Sequence, residues 1–186
     1  MAEPLKSYPV IGCCGIDCGL CPRFQSQSSS ACPGCGGIDF KDKHPSCGYL
    51  TCCAMKKGLE VCSECDDYPC KRFDSEKNGY DSFVTHRMIF TNHDFIRLNG
   101  ITHFIENQGI RIEILNEWLK NFDDGRSKSF FCIACALLPY EKLVEIHGFC
   151  KVISDNTDIK EKNKQIRTKI VTIADALNIK LILNKK

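Results

Sequence analysis

Apolar residues recur at helical spacing in the C-terminal half of the chain, whereas large aliphatic side chains are scarce in the first 75 residues. Between residues 110 and 122 they lie three or four positions apart, on one face of a helix. The residues on that face are Ile110, Ile114, Leu115, Trp118, Leu119 and Phe122. Gly125 follows, and glycine is common just beyond a helix end. The pattern predicts an amphipathic helix that ends before Gly125.

Two more helices are predicted further along the chain. Pro139 is well placed to open the first and Gly148 to end it, with Leu143, Val144 and His147 on one face. The second begins after residue 158, where an Asp and a Glu three residues apart resemble a capping box. Its apolar positions are Ile159, Ile166, Ile170, Ile173 and Leu177. The apolar tail 179–183 has the pattern of a short strand, but one strand alone is not a sheet.

The first 75 residues are rich in Cys, Gly, Pro and Ser. Their single predicted helix runs from Leu50 to Lys57 and is stopped by Gly58. Such a segment buries too little apolar surface to offset its chain entropy, and bound metal is the obvious substitute. We therefore predict a mainly α protein. An irregular cysteine-rich metal-binding module, residues 1–75, packs on a helical domain, residues 76–186.

Fifteen cysteines in 186 residues are far more than usual, and twelve of them lie between Cys13 and Cys70. The N-terminus lacks the apolar region of a secretory signal. The longest apolar run, residues 130–139, is shorter than the roughly 20 residues of a membrane helix. We therefore expect a cytoplasmic protein without membrane contact. In that compartment thiols stay reduced, and clustered cysteines favour metal ligation over disulfides.

Three Cys-x2-Cys pairs carry the metal hypothesis, because two intervening residues let both sulfurs reach one ion. The pairs are Cys18/Cys21, Cys32/Cys35 and Cys62/Cys65. The first two pairs form one plausible tetrahedral set. A second set can draw on Cys47, Cys52 or Cys53, Cys62, Cys65 and Cys70. Zinc in two or more sites is the favoured cofactor, and an iron–sulfur cluster with thiolate ligands is the alternative.

The net charge and the motifs limit the classes of function that the sequence supports. The formal charge of +2 falls to about −2 if two zinc ions each bind four thiolates, so nucleic acid is not an expected partner. No phosphate-cradling loop or helical histidine pair is present. The sequence therefore favours structural zinc sites that support a binding or regulatory role over catalysis. An iron–sulfur or thiol redox protein and a metal sensor or carrier are the alternatives.

Several motifs resemble a prokaryotic family known only as domain of unknown function 3795. They are CGIDCGLCP (14–22), CPGC (32–35), CCAMKKGLEVCSECDDYPCKRF (52–73), DGRSKSFFC (124–132) and DIKEK (158–162). Ten cysteines fall on motif positions: Cys14, Cys18, Cys21, Cys32, Cys35, Cys47, Cys53, Cys62, Cys65 and Cys70. Cys13 and Cys52 look like extras. The resemblance implies a cysteine-rich, zinc-binding protein and no particular activity.

The segment 123–132 is the candidate ligand site outside the cysteines. Arg126 and Lys128 lie beside Ser127 and Ser129, one of which is expected at a helix N-cap. A helix N-terminus flanked by such residues suits a phosphate or a carboxylate, so a small anionic ligand or an unknown protein is the expected partner. A solvated turn between helices is the alternative. The Cys132-x2-Cys135 pair is surrounded by apolar residues and is interpreted as part of a buried helix.

Overall fold

A computed structural model describes residues 3–186 of the chain. The described residues are mainly helical, which confirms the predicted fold class. Seven α-helices occur in them: α1 (Phe40–Lys43), α2 (Gly48–Leu50), α3 (Ile89–Asn99), α4 (Ile101–Asn121), α5 (Lys128–Leu137), α6 (Tyr140–Cys150) and α7 (Ile159–Ala176). Short 3-10 turns and one π-helical segment, Thr51–Lys56, complete the regular structure.

The described residues contain no β-strand, only an isolated bridge between Ile11 and Asp17. The expected strand at residues 179–183 is therefore wrong. An apolar run forms a strand only when a second strand is available to pair with it, and none is. No helix in residues 3–186 is long and apolar enough to cross a lipid bilayer.

The chain forms two compact units, and the boundary falls inside α4. The first unit comprises residues up to Gln108 together with Leu183–Lys186, and the second comprises Gly109–Ile182. The cysteine-rich segment thus shares its compact unit with residues 76–108. The boundary predicted at residue 75 separates a region whose folding depends on bound metal from a region that folds without it. That boundary stays a prediction.

The second unit contains the helices that periodicity predicts. In α4, Leu115 and Trp118 are fully buried, whereas Ile110 is partly exposed. In α5, both Cys132 and Cys135 are buried, as the apolar surroundings indicated. Helix α7 begins where expected, because the Asp158 side chain accepts a hydrogen bond from the Lys160 backbone N–H.

Helix α6 differs from its prediction in two details. It continues through Gly148 to Cys150, because glycine inside a helix costs only about 1 kcal/mol and packing can offset that. Its buried face carries Leu143 and Ile146, whereas Val144 is exposed. The apolar residues at positions 143, 144 and 146 lie on two neighbouring faces of the helix. Packing decides which of these two faces is buried.

Candidate metal centre

The first cysteine motif is a tight loop within the first unit. The Gly12 backbone N–H donates to the Ile16 carbonyl at 2.8 Å, next to the bridge between Ile11 and Asp17. A 3-10 turn, Cys18–Leu20, follows directly. These short-range bonds bring the sulfurs of a Cys-x3-Cys-x2-Cys sequence to one side of a small loop, as the spacing predicts.

Side chains from α3 and α4 hold this loop in place. The Asn92 side-chain amide donates to the Gly15 carbonyl and to the Asp17 carboxylate, both at 2.9 Å. The Gln108 side-chain amide donates to the other oxygen of Asp17 at 2.7 Å. Asn92, Gln108 and Asp17 are all buried, so these bonds are shielded from water. Helical residues beyond position 75 thus position the first cysteines.

The second Cys-x2-Cys pair forms a glycine-rich turn against the N-terminal segment. The Cys35 backbone N–H donates to the Pro9 carbonyl at 2.8 Å. Gly34 adopts a positive φ of 82°, and a Cβ added to it would lie 2.4 Å from the Pro9 carbonyl oxygen. A side chain at position 34 is therefore excluded both by backbone conformation and by space.

Replacing Gly34 with alanine is expected to destabilise the first unit more than replacing Gly58. Both glycines have positive φ, which costs an alanine about 1–2 kcal/mol, but a Cβ at Gly58 would meet nothing within 4 Å. At Gly34 the overlap with the fixed Pro9 carbonyl adds roughly 1–3 kcal/mol. Thermal unfolding of both metal-loaded variants measures the difference. Equal losses of stability would contradict this account of the turn.

A first cavity of about 210 Å³ lies between these motifs, and cysteines dominate one side of it. The cysteines that line it are Cys14, Cys18, Cys21, Cys32, Cys35 and Cys47. Cys47 thus lies beside the two N-terminal pairs, whereas its position along the chain had suggested the second set. His44 also lines the cavity, with its ring stacked on Phe40.

A second, smaller cavity of about 60 Å³ is lined by residues of the segment 49–73. Its cysteines are Cys52, Cys53, Cys62, Cys65 and Cys70. The π-helical segment Thr51–Lys56 carries the vicinal pair, and the chain then reverses at Gly58. In this turn the Leu59 backbone N–H donates to the Cys53 carbonyl at 3.1 Å. Cys53 is buried and Cys52 is only partly buried, so the two neighbouring cysteines differ in exposure.

Helix α3 packs behind this second group. His93 is fully buried, and its Nδ1 lies 3.0 Å from the Ser63 hydroxyl, between Cys62 and Cys65. Its ring contacts Tyr68 at a centroid distance of 4.7 Å. Burial lowers the pKa of His93 to about 4, so the imidazole is neutral at pH 7. Nothing in the sequence distinguishes this histidine from its neighbours, and its role follows from packing alone.

The thiols of the first cavity are held in surroundings that disfavour their charged form. Burial raises the pKa of Cys14, and the nearby Cys18 adds to the effect. Burial also raises the pKa of Cys18, with Cys35 contributing, and the pKa of Cys21. Crowded, buried thiols do not ionise together without a cation. A bound metal ion provides that charge and displaces the protons.

All fifteen cysteines are free thiols, and every one lies in the described part of the chain. Across residues 3–186 no three His, Cys, Asp or Glu side chains are close enough as they stand to coordinate an ion. The donor set is nevertheless of the type zinc takes, with four or more sulfurs around each cavity. Zinc binding at either cavity would require its sulfurs to move closer together.

A charged pair lies at the mouth of the second cavity. The Lys57 ammonium donates to the Cys65 sulfur at 2.8 Å and to the Asp67 carboxylate at 2.9 Å. The hydrogen bond to Cys65 is the main cause of a raised pKa for Lys57, so this lysine is cationic. The second cavity thus has one fixed positive charge within hydrogen-bond distance of a lining sulfur.

The first cavity is also lined by polar residues that no motif indicates. The His86 Nδ1 lies 2.8 Å from a carboxylate oxygen of Glu76, and its Nε2 lies 2.9 Å from the Ser82 hydroxyl. The hydrogen bond from His86 lowers the pKa of Glu76. Both residues line the cavity together with the cysteines.

The candidate anion site lies in the second unit, and its four residues have different surroundings. Ser127 is the N-cap residue of α5, but it is buried and its hydroxyl contacts Asn163 and Arg167. Arg126 and Ser129 are exposed, and Lys128 is half-buried. Of the four residues, Arg126 and Ser129 are therefore the ones that an anion can reach from solvent.

Two carboxylates already accept backbone N–H groups in this loop. Asp123 accepts from Gly125 at 3.0 Å and from Ser127 at 2.9 Å. Asp124 accepts from Arg126 at 3.2 Å. An external anion would approach these carboxylates, so its binding depends chiefly on the Arg126 guanidinium. The anion site stays a prediction.

Phosphate is expected to raise the melting temperature of the wild-type protein if this loop binds anions. Arg126→Ala then weakens phosphate binding by roughly tenfold to a hundredfold, the loss of a charge-assisted hydrogen bond. Lys120→Ala removes one positive charge at an exposed position of α4 and is the matched control. Metal content and helicity should stay unchanged in both. If phosphate leaves the wild-type melting temperature unchanged, the loop is structural.

Comparison with known proteins bears on the first unit. Residues 10–75 match the model of a family described as a protein of unknown function, DUF3795. The match confirms the resemblance indicated by the motifs, and all ten motif cysteines lie within it. The segments 124–132 and 158–162, which also resemble the family, lie outside the DUF3795 match. No curated protein and no solved structure matches the chain.

Proposed function

We propose that this protein binds zinc through the cysteines of its two cavities and has a binding or regulatory role rather than a catalytic one. The observation that carries the proposal is the grouping of the cysteines. Sulfurs from separate segments of the chain gather at two places in one compact unit. Isolated structural cysteines, such as Cys150 in the second unit, have no such grouping.

The ligand chemistry supports zinc. Thiolates are among its preferred ligands, and structural zinc sites are closed by four of them. In the first cavity the ligands would come from Cys14, Cys18, Cys21, Cys32, Cys35 and Cys47. In the second they would come from Cys53, Cys62, Cys65 and Cys70. Bound there, zinc supplies cross-links in place of a large apolar core. Free thiols in this number suit a reducing compartment, so the cytoplasm is the proposed location.

Protein purified without oxygen is expected to contain at least two zinc ions per chain and to be colourless. Elemental analysis combined with a visible spectrum measures both properties. Cys132→Ser and Cys150→Ser, which alter thiols of the second unit, should keep the full zinc content. A brown solution with iron and acid-labile sulfide, or a protein without metal, would overturn the zinc proposal.

An iron–sulfur cluster in the first cavity is the second candidate. One observation favours it: six cysteines line a cavity of about 210 Å³, more thiols than the four that one zinc ion takes. The same surplus suits a metal sensor or carrier, in which a further ion is exchangeable. The metal analysis separates these functions, because a carrier yields a substoichiometric metal that dialysis removes.

The proposed partner is an unknown protein or a small anionic ligand. The loop around Arg126 supplies an exposed cation for either. A formal charge of +2, which falls as thiolates bind zinc, supports neither nucleic acid nor an anionic membrane surface.

A further inference from the structure

The apolar tail that follows α7 lines a cavity of the second unit. The chain reverses at Asn178, whose φ is 55°, and the Ile179 backbone N–H donates to the Ala174 carbonyl at 2.8 Å. This reversal brings residues 179–182 beside the C-terminal half of α7. The tail therefore encloses a space next to the helix instead of pairing as a strand.

This space, here named the α7 cavity, has a volume of about 530 Å³. Helix α7 contributes residues three or four positions apart, which lie on one face: Arg167, Val171, Ala174 and Asn178. The apolar side chains of the lining are Phe130, Val171, Ala174, Ile179, Leu181 and Ile182. Small-molecule sites in proteins have volumes of about 300–1,000 Å³ and mostly apolar walls. The size and the lining of the α7 cavity suit a ligand of that kind.

Parts of this apolar lining are in contact with water. Val171 is 41 % exposed and Ile182 is 70 % exposed. Transfer of apolar surface from water to an apolar environment is favourable. A ligand with a hydrocarbon chain would cover both side chains and gain this free energy on binding.

Arg167 provides a positive charge in the α7 cavity, and two contacts fix its position. Its guanidinium carbon lies 4.0 Å from the centroid of the Phe130 ring, and its Nη1 donates to the buried Ser127 hydroxyl at 3.2 Å. Among the described residues no carboxylate forms an ion pair with Arg167. Because a guanidinium has five N–H donors, the bond to Ser127 leaves others for a ligand. Two parallel hydrogen bonds from a guanidinium match a carboxylate.

The other charged residues of the lining do not cancel this charge. Lys180 and Asp175 carry one charge of each sign, so the lining retains one net positive charge from Arg167. Asp175 is eight residues beyond Arg167 on α7, about 12 Å along the helix axis at 1.5 Å per residue. An anionic group bound at Arg167 is therefore well separated from the Asp175 carboxylate.

We propose that the α7 cavity binds a small monocarboxylate with an apolar chain, of the class of medium-chain fatty acids. The carboxylate pairs with Arg167, and the chain packs against Val171 and the apolar tail. An inorganic anion would use the guanidinium alone, and an uncharged hydrocarbon would use the apolar wall alone. The inference does not rest on metal binding, because every lining residue belongs to the second unit. It also differs from the predicted anion site, because Arg126 does not line this cavity.

Isothermal titration of the full-length protein with decanoate, below its critical micelle concentration, tests this site. The wild type is expected to bind one decanoate per chain, at least tenfold more tightly than acetate or decanol. Arg167→Met removes the charge and keeps an apolar stem over Phe130, so it should weaken decanoate binding by roughly tenfold to a hundredfold. Lys160→Met, at an exposed position of α7, is the matched control and should bind as the wild type does.

A second variant tests the apolar wall and decides the matter if Arg167→Met does not fold. Val171→Asp places a negative charge in the wall at a partly exposed position, so decanoate binding should weaken at least tenfold. Val152→Asp introduces the same charge at a more exposed position outside the cavity and should leave binding unchanged. Arg126→Ala should also leave decanoate binding unchanged, which separates this site from the anion loop.

The outcomes distinguish this inference from the proposed function. No binding of decanoate to the wild type below the micelle concentration, or equal binding by Arg167→Met, overturns the carboxylate site. A wild-type dimer that Val171→Asp converts to a monomer, measured by sedimentation, shows that a second copy covers the cavity and also overturns it. Protein that contains no zinc but binds decanoate as described overturns the proposed function alone.

Discussion

Stripping metal from the full-length protein is expected to unfold residues 10–75 and to leave α5, α6 and α7 folded. Structural zinc contributes on the order of 10–16 kcal/mol in small zinc peptides. That figure is comparable to the whole unfolding free energy of a typical domain, about 5–15 kcal/mol. The cysteine-rich segment has few aliphatic side chains to replace it, whereas the second unit buries Leu115, Trp118 and Leu143 completely.

Hydrogen exchange followed by mass spectrometry, before and after anaerobic treatment with a chelator, measures this effect. Amides in residues 10–75 should lose protection, and zinc, but not magnesium, should restore it. Residues 76–108 decide where the metal-dependent region ends. Loss of protection there places the end at Gln108, the limit of the compact unit, and retained protection places it at residue 75. Unchanged protection of residues 10–75 without metal would contradict the structural role of zinc.

Trp118→Ala is expected to lower the unfolding free energy of the second unit by roughly 3–5 kcal/mol. Trp118 is fully buried, and its ring lies 5.9 Å from that of Phe131 in an edge-to-face arrangement. Truncation removes this contact and leaves a cavity that rigid neighbouring helices fill only in part. Because helices carry most of the far-ultraviolet circular dichroism, urea unfolding of the metal-loaded protein at 222 nm reports the loss.

Val152→Ala is the matched control for Trp118→Ala. Val152 is 78 % exposed, so its truncation should change the unfolding free energy by less than about 0.5 kcal/mol. Zinc content should be the same in both variants, since neither residue lines a cysteine cavity. Similar midpoints for the two variants would contradict the position of Trp118 in the core.

The elements that follow from local rules could be predicted from the sequence. Helix α7 begins at its predicted cap, because Asp158 satisfies a backbone N–H two residues away. The chain reverses at Gly58, because a positive φ there suits glycine. The density of cysteines and their two-residue spacing predict thiol groups that face common cavities, since both sulfurs of such a pair belong to one turn.

Other features depend on which distant segments meet, and spacing carries no information on that. Cys47 lies at the first cavity rather than with its neighbours along the chain, and Cys13 packs in one buried cluster with Cys35 and Cys53. Val144, which the pattern placed on the apolar face of α6, is exposed, and Ile146 is buried instead, because packing selects between two neighbouring apolar faces. The buried Ser127 hydroxyl donates to the side-chain oxygen of Asn163, which is 36 residues away in the sequence. Local geometry thus set the turns and helices, whereas long-range packing decided which side chains lie together.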